Sequence, residues 1–101
     1  MPRILREDAE RLLARVPEEH VFRCCDGRVL RDMKELEEAL TSMTDETFAY
    51  HSNEAKRDFS NWVKDIIGDG KLARDLAKSQ NRSQAAKSVA ERIDFLAAKL
   101  V

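Results

Sequence analysis

A mostly helical fold carrying one short β-hairpin is what this sequence predicts, on three observations. Apolar residues recur at i, i+3, i+4 and i+7 in one segment after another, the rhythm of amphipathic helices. Glycine (3) and proline (2) are scarce in the 101 residues, so the chain has few obligatory breaks. A single Asp26-Gly27 pair stands between residues with strand character, and glycine accepts the positive φ that a hairpin turn needs. The expected architecture is a small helical domain of about five helices, with the hairpin near residues 20–31.

The first helix is expected over residues 3–16. It sets Ile4, Leu5, Ala9, Leu12, Leu13 and Val16 on one stripe, and Pro17 stops it because the residue before proline avoids the α region. In "HVFRCCDGRVL", a two-residue turn at Asp26-Gly27 pairs Cys25 with Arg28 and Cys24 with Val29. Phe22, Cys24 and Val29 then share one face, and Arg23, Cys25, Arg28 and Leu30 the other. Asp32 and Glu35 have the spacing of an N-cap with an acidic third residue. The next helix turns Leu36, Ala39, Leu40 and Met43 to one side. Thr44 caps a short helix through Phe48 and Tyr50.

Phe59, Trp62, Val63, Ile66 and Ile67 make the strongest apolar face in the chain, with Asp58 placed to cap its start. Phe59, Trp62, Val63 and Ile66 are expected at the centre of the core. Gly68 suits a left-handed helix end and Asp69 the cap of the next helix, whose apolar face is Leu72, Ala73 and Leu76. Ser83 caps a last helix over 83–100, striped by Ala86, Val89, Ala90, Ile93, Leu96, Ala97 and Leu100.

Composition narrows the function. The formal net charge is −1 and the pI about 6.1, so nothing global draws the protein to nucleic acid or an anionic membrane. Residues 1–50 carry 12 acidic and 8 basic side chains, and residues 51–101 carry 7 and 10. The two halves are thus −4 and +3, a mild dipole that favours association. No apolar run approaches the ~20 residues that span a bilayer. The N-terminus has no signal-peptide pattern, so a cytoplasmic location and no membrane partner are expected. Cys24 and Cys25 are adjacent, and neighbours in sequence rarely bridge each other. They have no companion in the sequence that would close a zinc site. Cys24 reads as a small buried hydrophobe.

The chemistry-bearing residues cluster in "HSNEAKRDFSNWVKDIIGDGKLARDL", residues 51–76. His51, Asn53, Asp58, Trp62 and Asp65 form a candidate polar cluster, either a binding site or an internal hydrogen-bond network. Within it, Asn53 or Asp58 is the expected partner of the Trp62 indole N–H. No HExxH or HxH spacing nominates a metal site, and no GxSxG elbow nominates a nucleophile. No catalytic residue, cofactor or metal is expected.

"VFRCCDGRVLRDMKELEEAL", then "MTDETFAYHSNEAKRDFSNWVKDIIGDGKLARDL", resembles a family of small prokaryotic proteins and domains of unknown function. The family pattern is a hairpin with a DG turn, an "L-eL-aL" helix, and "D-tF-yH-n--k-DF-nWi-dv-GD--LA--L". The match spans roughly residues 20 to 76. Phe48, His51, Asn53, Asp58, Phe59, Trp62, Asp65, Gly68, Asp69, Leu72 and Ala73 fall on it. The resemblance implies a compact unit of hairpin plus helices and carries no reaction. A single domain over 1–101 is expected, with a family-like core at about 20–76 between the flanking helices 3–16 and 83–100.

Three functions are weighed. The first is a non-catalytic protein-interaction module, with a protein partner or a homodimer through its terminal helices. The second is a nucleic-acid-associated protein using the basic residues of 56–78, although Asp58, Asp65, Asp69 and Asp75 interleave with them and weaken phosphate attraction. The third is a small hydrolase or metal protein built on His51 and Asp58, with Asp65.

Overall fold

Short polar side chains cap the starts of four of the helices. The computed structural model describes residues 4–101. Six α-helices and one two-stranded antiparallel hairpin are found among them: α1 (Arg6–Leu13), β1 (Phe22–Arg23), β2 (Val29–Leu30), α2 (Met33–Ser42), α3 (Asp45–His51), α4 (Asp58–Trp62), α5 (Gly70–Lys78) and α6 (Arg82–Ala97). The helical fold with one hairpin is therefore as expected, with six helices rather than about five. Single 3-10 turns occupy Glu18–His20 and Ala98–Leu100.

Several caps lie where the sequence puts them. Asp32 accepts from Glu35 N at 2.8 Å, Thr44 from Thr47 N at 3.1 Å and Asp69 from Leu72 N at 3.1 Å. Gly68, at φ 89°, ends the preceding helical segment. Other boundaries differ for local reasons. α1 stops at Leu13, well short of Pro17, because Ala14 turns extended and Val16 N–H bonds Arg31 O at 2.8 Å. The expected start at Arg3 lies outside the described residues. α6 begins one residue early, with Asn81 and not Ser83 as cap, accepting from Gln84 N at 2.8 Å. It ends at Ala97, before the 3-10 turn. Asp58 does not cap α4. Arg57 occupies that place without a side-chain bond, and the Asp58 carboxylate turns to His51.

The hairpin register is corrected by one residue. Phe22 pairs with Leu30 and Arg23 with Val29, so the loop between Cys24 and Arg28 holds three residues. Cys24 N–H bonds Arg28 O at 2.9 Å, Gly27 N–H bonds Cys24 O at 3.0 Å, and Gly27 takes φ 95°. Three-residue hairpin loops commonly end in such a left-handed residue. A one-residue slip exchanges faces, so Leu30 is buried where Val29 was expected.

One apolar cluster runs through the hairpin and all six helices. Its largest fully buried side chains are Met33, Leu36, Leu40, Val63, Leu72, Val89 and Leu96, so the centre lies where α6 crosses α2 and α5. Of the four residues expected there, only Val63 belongs. Phe59 and Trp62 are buried in an aromatic layer under the hairpin, Phe59 stacked on Phe22 at 5.0 Å and Trp62 edge-on to it at 5.8 Å. Ile66 is half-buried because Val63–Ile67 form a single π-helical turn, closed by Gly68 N–H on Val63 O at 2.7 Å. The wider turn shifts its later residues around the helix axis. The α6 stripe is rotated too. Ala85, Ala86, Val89, Arg92 and Leu96 face inward, Ala90, Ile93 and Leu100 are half-buried, and Ala97 is exposed.

Candidate functional site

His51 is the last residue of α3 and is 5% exposed. Its Nδ1 lies 2.9 Å from Asp58 Oδ2, and its Nε2 accepts the Cys25 backbone N–H at 3.0 Å. An Nε2 that accepts an N–H carries no proton, so these two bonds select the neutral Nδ1–H tautomer. The ring also packs against Phe22 at 5.1 Å and Phe59 at 5.3 Å. One side chain thereby joins the hairpin tip, the end of α3 and the start of α4.

The loop between α3 and α4 brings Asp58 to that ring, and Asn53 shapes the loop. Its Oδ1 accepts from Ala55 N and Lys56 N at 2.9 and 3.0 Å, while its Nδ2 donates to Ala49 O at 2.8 Å. Asn53 is thus near His51 in the chain, but all its bonds go to backbone. Trp62 donates its indole N–H to His20 O at 2.8 Å, and not to Asn53 or Asp58 as the sequence suggested. Asp65 is exposed, and among the described residues it forms no ion pair with the cluster. Of the five sequence-predicted residues, the structure unites His51 and Asp58, uses Asn53 to position them, and sets Trp62 and Asp65 apart.

What the sequence concealed is the companion of the cysteines. Cys24 Sγ, Cys25 Sγ and a ring nitrogen of His51 lie within 4.8 Å of one another, although 26 residues separate Cys25 from His51. Cys24 is buried and Cys25 exposed, and both are free thiols. Burial, above all, pushes the Cys24 thiol above its ordinary range; the Asp26 backbone N–H works the other way, and the Asp26 carboxylate and Cys25 add to the rise. For Asp26, its own desolvation works the other way, but the Arg28 N–H, the Cys24 thiol and the Arg28 guanidinium hold it below its usual range. The lone pair of His51 accepts the Cys25 N–H here, so either base chemistry or ligation at Nε2 requires that bond to open.

A second feature lies between α1, α5 and α6. It is a groove of about 830 Å³, with Ile4, Leu12 and Phe95 among its lining side chains. Phe95 is 44% exposed, with Arg92 and Lys99 at 5.2 and 4.9 Å from its ring centroid. The groove wall is fixed by a buried ion pair that the sequence did not nominate. Arg92 Nε and Nη2 donate to Asp69 at 2.7 and 3.1 Å. Arg11 is within 3.6 Å of Asp8, and Lys71 within 2.6 Å of Asp75. Arg74 and Lys99, also in the lining, form no ion pair among the described residues.

The basic run of 56–78 is partly neutralised at home. Lys56 lies 3.4 Å from Asp58 and over the Tyr50 ring, and Lys71 is bound to Asp75. No helix of the described residues is long and apolar enough to cross a membrane. No protein-family model, curated protein or solved structure matches the chain.

Proposed function

We propose that the protein is a non-catalytic protein-interaction module that receives an acidic, amphipathic segment of a partner in the groove between α1, α5 and α6. The observation that carries this reading is the groove itself, an apolar floor with an exposed aromatic and two cations free of ion pairs among the described residues. Helix-in-groove recognition uses such a surface: apolar anchors at i, i+3, i+4 and i+7 fill the floor, and charges at the rim set orientation. Arg74 and Lys99 favour carboxylates there, and Glu91 is the one opposing charge left outside an ion pair among the described residues. Aromatic residues and arginine are enriched at the cores of interfaces, and Phe95 and Arg92 stand together here. The reading sets the protein in the cytoplasm, supported by its two free thiols. It keeps the likeness of residues 20–76 to a prokaryotic family of unknown function.

The test is an amide-shift titration of isotope-labelled protein with a synthetic helix bearing leucines at i, i+3, i+4 and i+7 and glutamates elsewhere. A counterpart with lysine for glutamate serves as control. Shifts confined to the groove with the acidic peptide alone are expected, weakened at least about tenfold by Phe95→Ala or Arg74→Glu. Equal response to both peptides, or none, refutes the reading. A dimeric solution mass with the groove amides protected would assign the surface to a second copy instead. Shifts along residues 56–78 on adding duplex DNA, lost in salt, would favour the nucleic-acid reading.

A further inference from the structure

The peptide joining two adjacent cysteines lies under the lone pair of a histidine whose other nitrogen is held by a carboxylate. We propose that Cys24, Cys25 and His51 form a site for a thiophilic d10 cation, Zn(II) or Cu(I), with Asp58 as the residue that orients the imidazole. Three observations lead there.

The donor set is of the right kind. Two thiolates and an imidazole select soft or borderline cations over Mg(II) or Ca(II). The donor atoms already lie within 4.8 Å of one another. Tetrahedral Zn–S and Zn–N bonds of about 2.3 and 2.0 Å place donors roughly 3.5–3.8 Å apart, so closure needs shifts of about an ångström at a hairpin tip. Of the two thiols Cys25 is the exposed one, and nothing lies within 4 Å of the place a Cβ would take at the neighbouring turn residue Gly27.

The tautomer is also right. Asp58 on Nδ1–H leaves Nε2 as the donor nitrogen, the carboxylate–histidine arrangement that fixes ring orientation and raises ligand basicity at metal centres. Without a cation the Cys25 N–H fills that position. A cation takes its place, which is a neutral hydrogen bond exchanged for a metal–ligand bond. The two thiols release two protons to solvent and the imidazole stays neutral, so binding strengthens as pH rises. The fourth position opens on the exposed side of Cys25, towards water or a partner's side chain.

The experiment uses fully reduced protein titrated with Co(II), a spectroscopic stand-in for Zn(II), followed by displacement with Zn(II). Expected are one equivalent bound, a thiolate-to-cobalt charge-transfer band, loss of that band on adding Zn(II), and a shift of the Cys25 amide. Cu(I) in a competing chelator distinguishes the two cations. Cys25→Ser keeps the backbone N–H to His51, so its melt should match wild type while the band disappears. Asp58→Asn should keep the band and weaken affinity by about tenfold to a hundredfold, a change that a merely structural carboxylate would not produce. Absence of stoichiometric binding to reduced wild type overturns the proposal, as does a band that survives in folded Cys25→Ser.

Discussion

Replacing Asp69 by Asn tests the pair that holds α5 to α6. The Asp69 and Arg92 side chains are 1% and 9% exposed, and two charge-assisted bonds of 2.7 and 3.1 Å join them. Asn can still accept the Leu72 N–H at Oδ1 and cap α5, but an NH2 then stands where Oδ2 accepted the Arg92 Nε–H, so the substitution removes the charge and the shorter of the two bonds. Removing one partner of a buried pair costs about 3–5 kcal/mol, because the other charge stays in the interior without compensation. A domain of this length holds only about 5–15 kcal/mol in total. Arg92→Met should cost up to about 1 kcal/mol less than Asp69→Asn, since the orphaned carboxylate still faces the positive end of α5.

The double variant is the sharper measurement. With both charges gone, no uncompensated ion remains, so Asp69→Asn with Arg92→Met should be more stable than either single change. Lys71→Met is the control. Its ion pair with Asp75 is shorter, at 2.6 Å, but exposed, and should be worth less than about 0.5 kcal/mol. Urea titrations followed by far-ultraviolet circular dichroism and Trp62 fluorescence give all four values. Single variants that lose less than about 1 kcal/mol, or a double variant worse than both, would refute the reasoning from burial.

Three further outcomes rest on the same geometry. Trp62→Ala should cost about 3–5 kcal/mol, because it empties a buried aromatic site and leaves His20 O without its indole donor; a loss under about half that, by denaturant melt, counts against it. Gly27→Ala should cost about 1–2 kcal/mol through backbone strain alone, as the added Cβ meets nothing within 4 Å at φ 95°; an unchanged melt would mean the turn rearranges freely. Cys24, whose folded-state value is raised above the ordinary 9.0, contributes stability that is fully present below that value and lost as pH rises through the folded one. The wild-type melt should therefore fall more steeply above pH 9 than that of Cys24→Ala.

Local chemistry was legible in the sequence, and distant pairing was not. Asp32, Thr44, Gly68 and Asp69 act within a turn or so of their own positions, so spacing alone announced them. The hairpin was announced too, but its register was not. Asp26-Gly27 fits both a two-residue turn and the last two positions of a three-residue loop, and burial of Leu30 decides between them. The aromatic stripe at 59–67 looked like the centre of the core because hydrophobicity is dense there. The centre instead lies at the crossing of α6 over α2 and α5, which no single-helix pattern contains. Arg92 was hidden for the same reason: an arginine in an apolar stripe reads as a helix edge until Asp69, 23 residues away, is seen to meet it. His51 and Asp58 could be named as a pair, whereas the bond from Cys25 N–H to His51 crosses 26 residues.

That last bond changes how the His51 position must be tested. His51→Ala removes a ring packed on Phe22 and Phe59 and leaves the Cys25 N–H without its acceptor, while the partly exposed Asp58 carboxylate keeps Lys56 at 3.4 Å. The unpaired N–H costs about 1–3 kcal/mol and the lost ring packing adds to it, so the variant should lose roughly 2–4 kcal/mol whatever else the site does. An intact melt would refute the clamp. A fallen melt establishes the clamp and leaves the cation untouched, because structural and ligand roles use the same tautomer and the same two neighbours. Separation of the two roles falls to the cysteine side. The clamp depends on the backbone N–H of Cys25, which serine keeps, and the cation depends on its sulfur, which serine lacks. A variant that melts like wild type yet no longer takes up cobalt assigns the ligand to the Cys25 sulfur, and a fallen His51→Ala melt beside it assigns the clamp to the backbone N–H.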